Sequence, residues 1–310
     1  MPRRPRPADP AMSPSARAEV SVDGRTLSLS NLDKVMYPAT GFTKGQVVDY
    51  YARIAPVMVP HLAARPITLK RYPDGVDGPH FFEKNCPSHR PPWVPTFPVV
   101  LDGGKKTVGF CLIQEPAALV WTANLAAIEL HPGLAIVEEW QRPTVMVFDL
   151  DPGPPAGLTE CAEVAVMLRD ALASLSMQSF LKTSGNKGMQ LYVPLNTETD
   201  YEQTRGFSLA LAQVLERQHP NLVVTNMNRD LRPGKVFIDW SQNSSFKTTV
   251  AVYALRARER PTVSTPLRWE EIDDPEALRF ETADVLARVE QFGDLFEPVL
   301  TLKQQLPKLA

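Results

Sequence analysis

The stretch Val145-Met-Val-Phe-Asp149-Leu-Asp151-Pro-Gly153 constrains this chain more than any other. Four apolar residues read as a hydrophobic strand, and two carboxylates follow two positions apart. Strand side chains alternate between faces, so Asp149 and Asp151 point the same way. Pro152, Gly153, Pro154 and Pro155 stop the strand there, which sets the pair at an exposed strand end. Like charges at that spacing repel. A divalent cation bound through oxygen, Mg²⁺ or Mn²⁺, relieves the repulsion. An Asp- and Pro-rich turn without metal explains the same residues on composition alone. The remaining motifs have to decide between the two.

With 310 residues, 44% of them hydrophobic, the chain can bury a substantial core as one large domain or two packed modules. No apolar run approaches the ~18 residues of a membrane span, and the N-terminus lacks an apolar signal-peptide core. Cys86, Cys111 and Cys161 are scattered and odd in number, which leads us to expect thiols in a reducing cytosol. Cys86 and His89, with His80 nearby, have zinc-ligand spacing but lack an evident fourth ligand. The net charge of −2 is unevenly spread. Residues 267–310 carry ten acids against five bases, whereas residues 229–260 carry seven bases against three acids. A nearly neutral chain of this kind can still present a basic groove to nucleic acid.

Residues 1–20, with five prolines and four arginines, read as a disordered basic tail. The remainder divides into an N-terminal module over about 21–140, a catalytic module over about 141–260 and C-terminal helices over about 261–310. Alternation from Ser21 to Leu29 predicts one half-buried strand. Thr43 is placed to cap a helix from Lys44 to about Met58, with Val47, Val48, Tyr51, Ile54 and Ala55 on one face. Arg65–Tyr72 reads as a strand ending in the bases Lys70 and Arg71. Asp102–Lys106 reads as a turn joining two strands, Glu115–Ala127 as a helix, and Ala127–His131 as a strand. Thr248–Tyr253 reads as a further strand.

From about 144 to 240 the order is strand, helix, strand, loop, strand, helix, strand. This is the β-α-β-β-α-β split unit also found in RNA-recognition folds, and it makes the chain α+β. Its last strand carries Asp239. Three carboxylates meeting on one sheet face would form a two-metal site, although the strand order does not show how Asp239 approaches the pair. Ser184-Gly-Asn-Lys187-Gly188 is a hairpin turn or a phosphate-binding nest to which Lys187 adds charge. Arg256 follows a strand, where it either clamps a triphosphate or is simply solvated.

Taken together, Phe148–Gly153, Thr183–Gly188 and Val236–Asn243 resemble the three signature motifs of archaeo-eukaryotic primase-polymerases. The closest likeness is to the polymerase domain of the bacterial ligase D family of non-homologous end joining, over roughly residues 20–300. The resemblance implies an archaeo-eukaryotic primase-type fold, with an RRM-like catalytic sheet packed against an N-terminal α/β module. It implies Asp149, Asp151 and Asp239 as metal ligands and catalytic residues for two Mn²⁺ or Mg²⁺ ions. Ser184, Lys187, Gly188, Arg256, His131 and the residue at Gln190 would bind an NTP or dNTP. Asn31, Lys34 and Lys44 match a pocket for a DNA 5′-phosphate. Phe81 and Phe82 match aromatics that stack on a template, although as neighbours on a strand they face opposite ways and at least one reads equally well as core. Lys70 and Arg71 would meet backbone phosphates. Arg229, Arg232 and Lys235 lie in a loop that handles the primer strand. The family usually carries histidine where this chain has Gln190, and glutamine cannot become cationic.

The function so implied is addition of nucleotides, ribonucleotides preferred, to a primer 3′-end at short gaps or broken DNA ends. The competing readings are a non-catalytic DNA-end-binding or bridging module and a de novo primase. The partners implied are gapped or broken DNA, Ku and a DNA ligase, with no membrane, in the nucleoid-associated cytoplasm. The ligase and phosphoesterase modules of the full family protein are absent from these 310 residues, as in a stand-alone form or an excised domain.

Overall fold

The computed structural model describes residues 17–101 and 106–307. The N-terminal module opens with a hairpin, β1 (Arg17–Val22) and β2 (Arg25–Ser30), where the alternation predicted one strand. Asp23 and Gly24 turn it with φ of 46° and 76°, the positive values that an Asp-Gly hairpin turn requires. Because β1 begins at Arg17, the tail expected over 1–20 is ordered over its last four residues; residues 1–16 lie outside the described ones.

A short pair, β3 (Val35–Tyr37) and β4 (Phe42–Thr43), leads into α1 (Lys44–Leu62). Thr43 and Gln46 form a reciprocal capping box at the start of α1. The helix runs four residues beyond the expected end, with Pro56 and Pro60 inside it, and buries the face carrying Val47, Tyr51, Ile54 and Met58. A five-stranded sheet packs beside it. Its strands are β5 (Ile67–Arg71), β6 (Phe81–Glu83), β7 (Thr96–Leu101), β8 (Lys106–Cys111) and β9 (Ala127–Pro132). They run in the order β6-β5-β8-β7, and β9 also pairs with β5. Helix α2 (Pro116–Asn124) packs on α1. The turn expected at 102–106 falls mostly on 102–105, outside the described residues, but β7 and β8 pair antiparallel around it.

The catalytic module contains β10 (Val145–Pro152), α3 (Leu158–Ser174), β11 (Phe180–Thr183), β12 (Met189–Pro194), α4 (Tyr201–Gln218), β13 (Val223–Val224) and β14 (Val236–Asp239). With β15 (Pro266–Leu267) the sheet order is β13-β14-β10-β12-β11-β15. The first and third strands of the split unit, β10 and β12, are central, as that order requires. Since β15 extends this sheet, the module draws on chain beyond residue 260. The C-terminal part adds α5 (Thr282–Phe292) and α6 (Pro298–Thr301).

Alternation along β10 divides the core in two. Met146, Phe148 and Leu150 pack with α3 and α4, while Val145 and Val147 face the N-terminal module. Asp149 falls on the second face, so the cleft opens between the modules. The segment expected as a strand at Thr248–Tyr253 belongs to that inter-module core and forms none. It makes one bridge, Gly133 to Thr248, and Tyr253 takes φ of 65°, which breaks any ladder. Tyr50 instead donates to Tyr253 O at 2.8 Å, and Ala251 N donates to Leu130 O at 2.9 Å.

The thiol expectation holds only for buried Cys161. Cys86 and Cys111 are joined as a disulfide across 25 residues, because β8 brings them within 4.9 Å at Cα. Cys86 is thereby removed from any zinc site. His80 stacks on Tyr72 instead, with ring centroids 5.0 Å apart.

Candidate active site

Strand register gathers the carboxylates. Asp149 on β10 lies directly opposite Asp239 on β14, and on its other side opposite Gln190 on β12. Asp151 follows at the open end. Burial, then the charges of Asp151 and Asp239, raise the Asp149 pKa to about 7. Burial and Asp239 raise Asp151 as well. Asp239 differs from the other two. Its Oδ1 accepts from Ser241 N at 3.0 Å and from the Ser241 hydroxyl, and its Oδ2 accepts from Gln242 Nε2 at 3.1 Å. Among the described residues no three His, Cys, Asp or Glu side chains already form a metal-ligand group. An all-carboxylate donor set, in which burial and then mutual repulsion raise Asp149 and Asp151, nonetheless suits a hard divalent ion, which offsets that repulsion.

Asp149 and Asp151 open onto a cleft of about 430 Å³ that is also lined by Ser184, Asn186, Gln190, His131, Arg256, Phe82, Lys84, Gln242 and Thr248. The Ser184–Gly188 loop forms one wall. Gly185 takes φ of 67°, and a Cβ there would meet Arg256 and the Val263 backbone at 2.7 Å. A Cβ at Gly188 would lie 2.0 Å from Leu150 O, so only glycine lets the loop close on β10. The amides of Asn186 and Gly188 both donate to Ser184 Oγ at 3.3 Å. Lys187 and Gly188 line a second groove of about 750 Å³ on the far side of the loop, not the carboxylate cleft.

Glu129, buried on β9, ties the nucleotide-site candidates together. It accepts from His131 Nε2 at 3.0 Å, and Arg256 Nε and Lys70 Nζ lie 3.5 and 3.7 Å away. Burial alone would raise Glu129, but the His131 bond and the Arg256 and Lys70 charges outweigh it and hold the carboxyl well below the usual range. Burial lowers the His131 pKa against the pull of Glu129. Arg256 also donates to Ser184 O, which joins this network to the loop.

Phe81 and Phe82 are both exposed, at 45% and 58%, so neither is core; β6 is a sheet edge with both faces open. Phe82 sits edge-on to His131 with centroids 5.9 Å apart, under Lys70 at 5.3 Å. Phe81 lies under Arg71 at 5.4 Å on the opposite face. Arg71 itself bonds Glu83 at 2.9 Å.

The candidate phosphate pocket lies elsewhere, at the α1 N-terminus. Lys44 N donates to Lys34 O at 2.8 Å, and Lys34 N to Asn31 O at 3.0 Å. Lys44 Nζ reaches Ser30 O at 2.7 Å, and Lys34 bonds Asp74 at 3.0 Å. Burial, with Lys34 and Arg71 adding to it, lowers the Lys44 pKa to about 8. Arg71 therefore belongs electrostatically to this cluster, which its motif did not reveal. Of the basic loop, Arg232 lies nearest the carboxylates: its charge acts on Asp151, and its guanidinium covers Phe237 at 3.7 Å. Lys235 bonds Pro220 O at 2.6 Å, and Arg229 opens a short 3₁₀ turn.

Among the buried charged residues, Glu129 and Lys182 beside the cleft escaped the sequence reading. Both interrupt apolar strands, which was the available signal.

Residues 43–296 match the family model described as LigD, primase-polymerase domain. The chain belongs to this family. A primase-polymerase domain is a nucleotidyltransferase, and this chain is one. It is 42% identical over 290 residues to the multifunctional non-homologous end joining DNA repair protein LigD of Mycobacterium tuberculosis, covering 89% of this chain and 37% of that protein. It is 31% identical to the bifunctional LigD of Bacillus subtilis, covering 91% of this chain and 47% of the relative. The chain thus spans less than half the length of these relatives. The polymerase domain of Mycobacterium tuberculosis ligase D in complex with DNA superposes with a TM-score of 0.84 at 41% identity, over 90% of this chain and 99% of that one. The expected α+β primase-type fold is borne out, and among the described residues no helix is long and apolar enough to cross a membrane.

Proposed function

We propose that this chain extends a primer 3′-end opposite a DNA template at short gaps and broken ends, in repair by end joining. The observation that carries this is Asp149, flanked by Asp239 and Gln190 and opening on the cleft shared by Ser184, His131 and Arg256. Asp149, Asp151 and Asp239 would hold two divalent ions, Mn²⁺ by family expectation, whose charge lowers the pKa of the primer hydroxyl and offsets that of the phosphates. Arg256, Ser184 and Asn186, which line the cleft, face the triphosphate, and His131 beside Phe82 borders the nucleoside. Asp239 accepts the hydroxyl proton. Arg229, Arg232 and Lys235 steer the primer, while Phe81, Phe82, Lys70 and Arg71 carry the template. Asn31, Lys34 and Lys44 bind the 5′-phosphate across the gap, supported by the α1 N-terminus. Ribonucleotides are the preferred substrates, and Ku and a DNA ligase at the nucleoid are the partners this reading implies.

The test is extension on a short-gap substrate with and without a 5′-phosphate, with ribo- and deoxynucleotides, in Mn²⁺ and in Mg²⁺. Extension stimulated by the 5′-phosphate, best with ribonucleotides and Mn²⁺, is expected. No extension under any condition would sink the reading, and indifference to the 5′-phosphate would remove Asn31, Lys34 and Lys44 from it.

A further inference from the structure

Lys182, on β11, is fully buried at 0% exposure. Its Nζ donates to Gln190 Oε1 at 2.6 Å, to Ser264 Oγ at 2.6 Å and to Val250 O at 3.2 Å. The Ser264 hydroxyl spends its own hydrogen on Thr183 O at 2.9 Å, so it accepts from Lys182. Three acceptors thus meet the Lys182 amine, whose pKa is lowered well below the usual lysine range by burial and by the Arg256 charge, against the pull of Asp149. Tyr192 adds its ring 5.4 Å from that nitrogen.

Gln190 turns Oε1 toward Lys182, from which it accepts, and Nε2 away from it. Nε2 then donates to Asp149 Oδ1 at 3.1 Å. The amide is thus used at both ends, by Lys182 and by Asp149. Its second Nε2 hydrogen takes no part in this relay.

We infer that Lys182 is a positioning residue that, through the Gln190 amide, fixes the orientation in which Asp149 presents its carboxylate to a metal ion. The inference rests on the proposed metal role of Asp149. It replaces the expectation that Gln190 binds the triphosphate. An imidazole also carries one donor and one acceptor, so histidine at position 190 would complete the same relay.

The experiment measures Mn²⁺ binding by the loss of the free-ion EPR signal, alongside nucleotide KM at saturating Mn²⁺. The proteins are the wild type, Lys182→Met, Gln190→Met, their double variant, Gln190→His and Asp149→Asn. Loss of a partner that orients a metal ligand weakens metal binding by about 10–100-fold. Lys182→Met and Gln190→Met should each raise the Mn²⁺ dissociation constant by about tenfold. The double variant should be no weaker than either single one. Gln190→His should stay within about twofold of wild type, and nucleotide KM should be nearly unchanged in the four Lys182 and Gln190 variants. Should Lys182→Met fail to fold, the contrast between Gln190→Met and Gln190→His decides. The inference is overturned if Gln190→Met raises nucleotide KM with Mn²⁺ binding intact, or if the two single effects simply multiply. Asp149→Asn separates the two failures: wild-type Mn²⁺ binding in that variant would remove the metal-site reading itself.

Discussion

Replacing Asp149 with asparagine should make the metal-free protein more stable while abolishing extension. Asparagine keeps the shape, and its side-chain oxygen can still accept from Gln190 Nε2. What it removes is one of three clustered charges. The Asp149 carboxyl stands at about 7 instead of 3.8, mainly through burial and then through Asp151 and Asp239. Roughly three pH units at ~1.4 kcal/mol each set a ceiling of ~4 kcal/mol. The carboxylate opens on a solvent-filled cleft and shares the penalty with its neighbours, so ~1–2 kcal/mol is the expected gain. For a chain of this size that is a rise of roughly 1.5–3 °C in Tm. Because the folded-state pKa is raised, folding is penalised where Asp149 ionises. The penalty is absent below about 3.8, grows as pH rises and is complete above about 7. Thermal unfolding in EDTA at pH 8 should therefore show the full gain, and at pH 5 only about a third of it. Adding Mn²⁺ should raise the Tm of the wild type and leave the variant nearly unmoved. An unchanged or lowered Tm at pH 8, or an equal gain at both pH values, would refute the reasoning.

Glu129→Gln leaves Arg256, Lys70 and His131 facing a neutral amide, so denaturant unfolding should register a loss of ~2–3 kcal/mol, with a raised nucleotide KM in extension assays. Lys44 titrates at about 8, so stimulation of gap filling by a 5′-phosphate should fall as pH rises past that value, while Lys44→Arg should hold it flat; a flat wild-type profile would exclude Lys44 from the pocket. Phe82→Ala, at a side chain 58% exposed, should change unfolding free energy by less than ~0.5 kcal/mol yet weaken template binding measured by fluorescence anisotropy.

Much of the frame was legible in the sequence because its signals are local. Thr43 marked the start of α1, an apolar run marked β10, and Pro152 to Pro155 marked its end. The split-unit order was readable as well, and with it the central place of β10. What the residues could not show was register, and only register makes Asp239 the neighbour of Asp149. Glu129 and Lys182 were hidden for a different reason. Charged residues inside apolar strands read as interruptions until their partners, distant in sequence, come into view. The apolar stretch at Thr248–Tyr253 misled because isolated bonds, from Ala251 N to Leu130 O, from Tyr253 N to Ser264 O and from Tyr50 to Tyr253 O, take the place of a ladder. The disulfide was invisible because Cys86 and Cys111 meet only through the fold of the five-stranded sheet.

The segment holding Arg256 is clamped by tyrosines of α1: Tyr50 bonds Tyr253 O at 2.8 Å, and Tyr51 accepts from Leu255 N at 3.1 Å. One consequence concerns synthesis on the ribosome. A nascent chain that has emerged as far as Val250 already carries all three aspartates, on a sheet that can pair. It lacks the arginine that would hold a triphosphate over them. Until residues beyond Val250 return to α1, the unfinished chain carries the three aspartates without the proposed nucleotide seat.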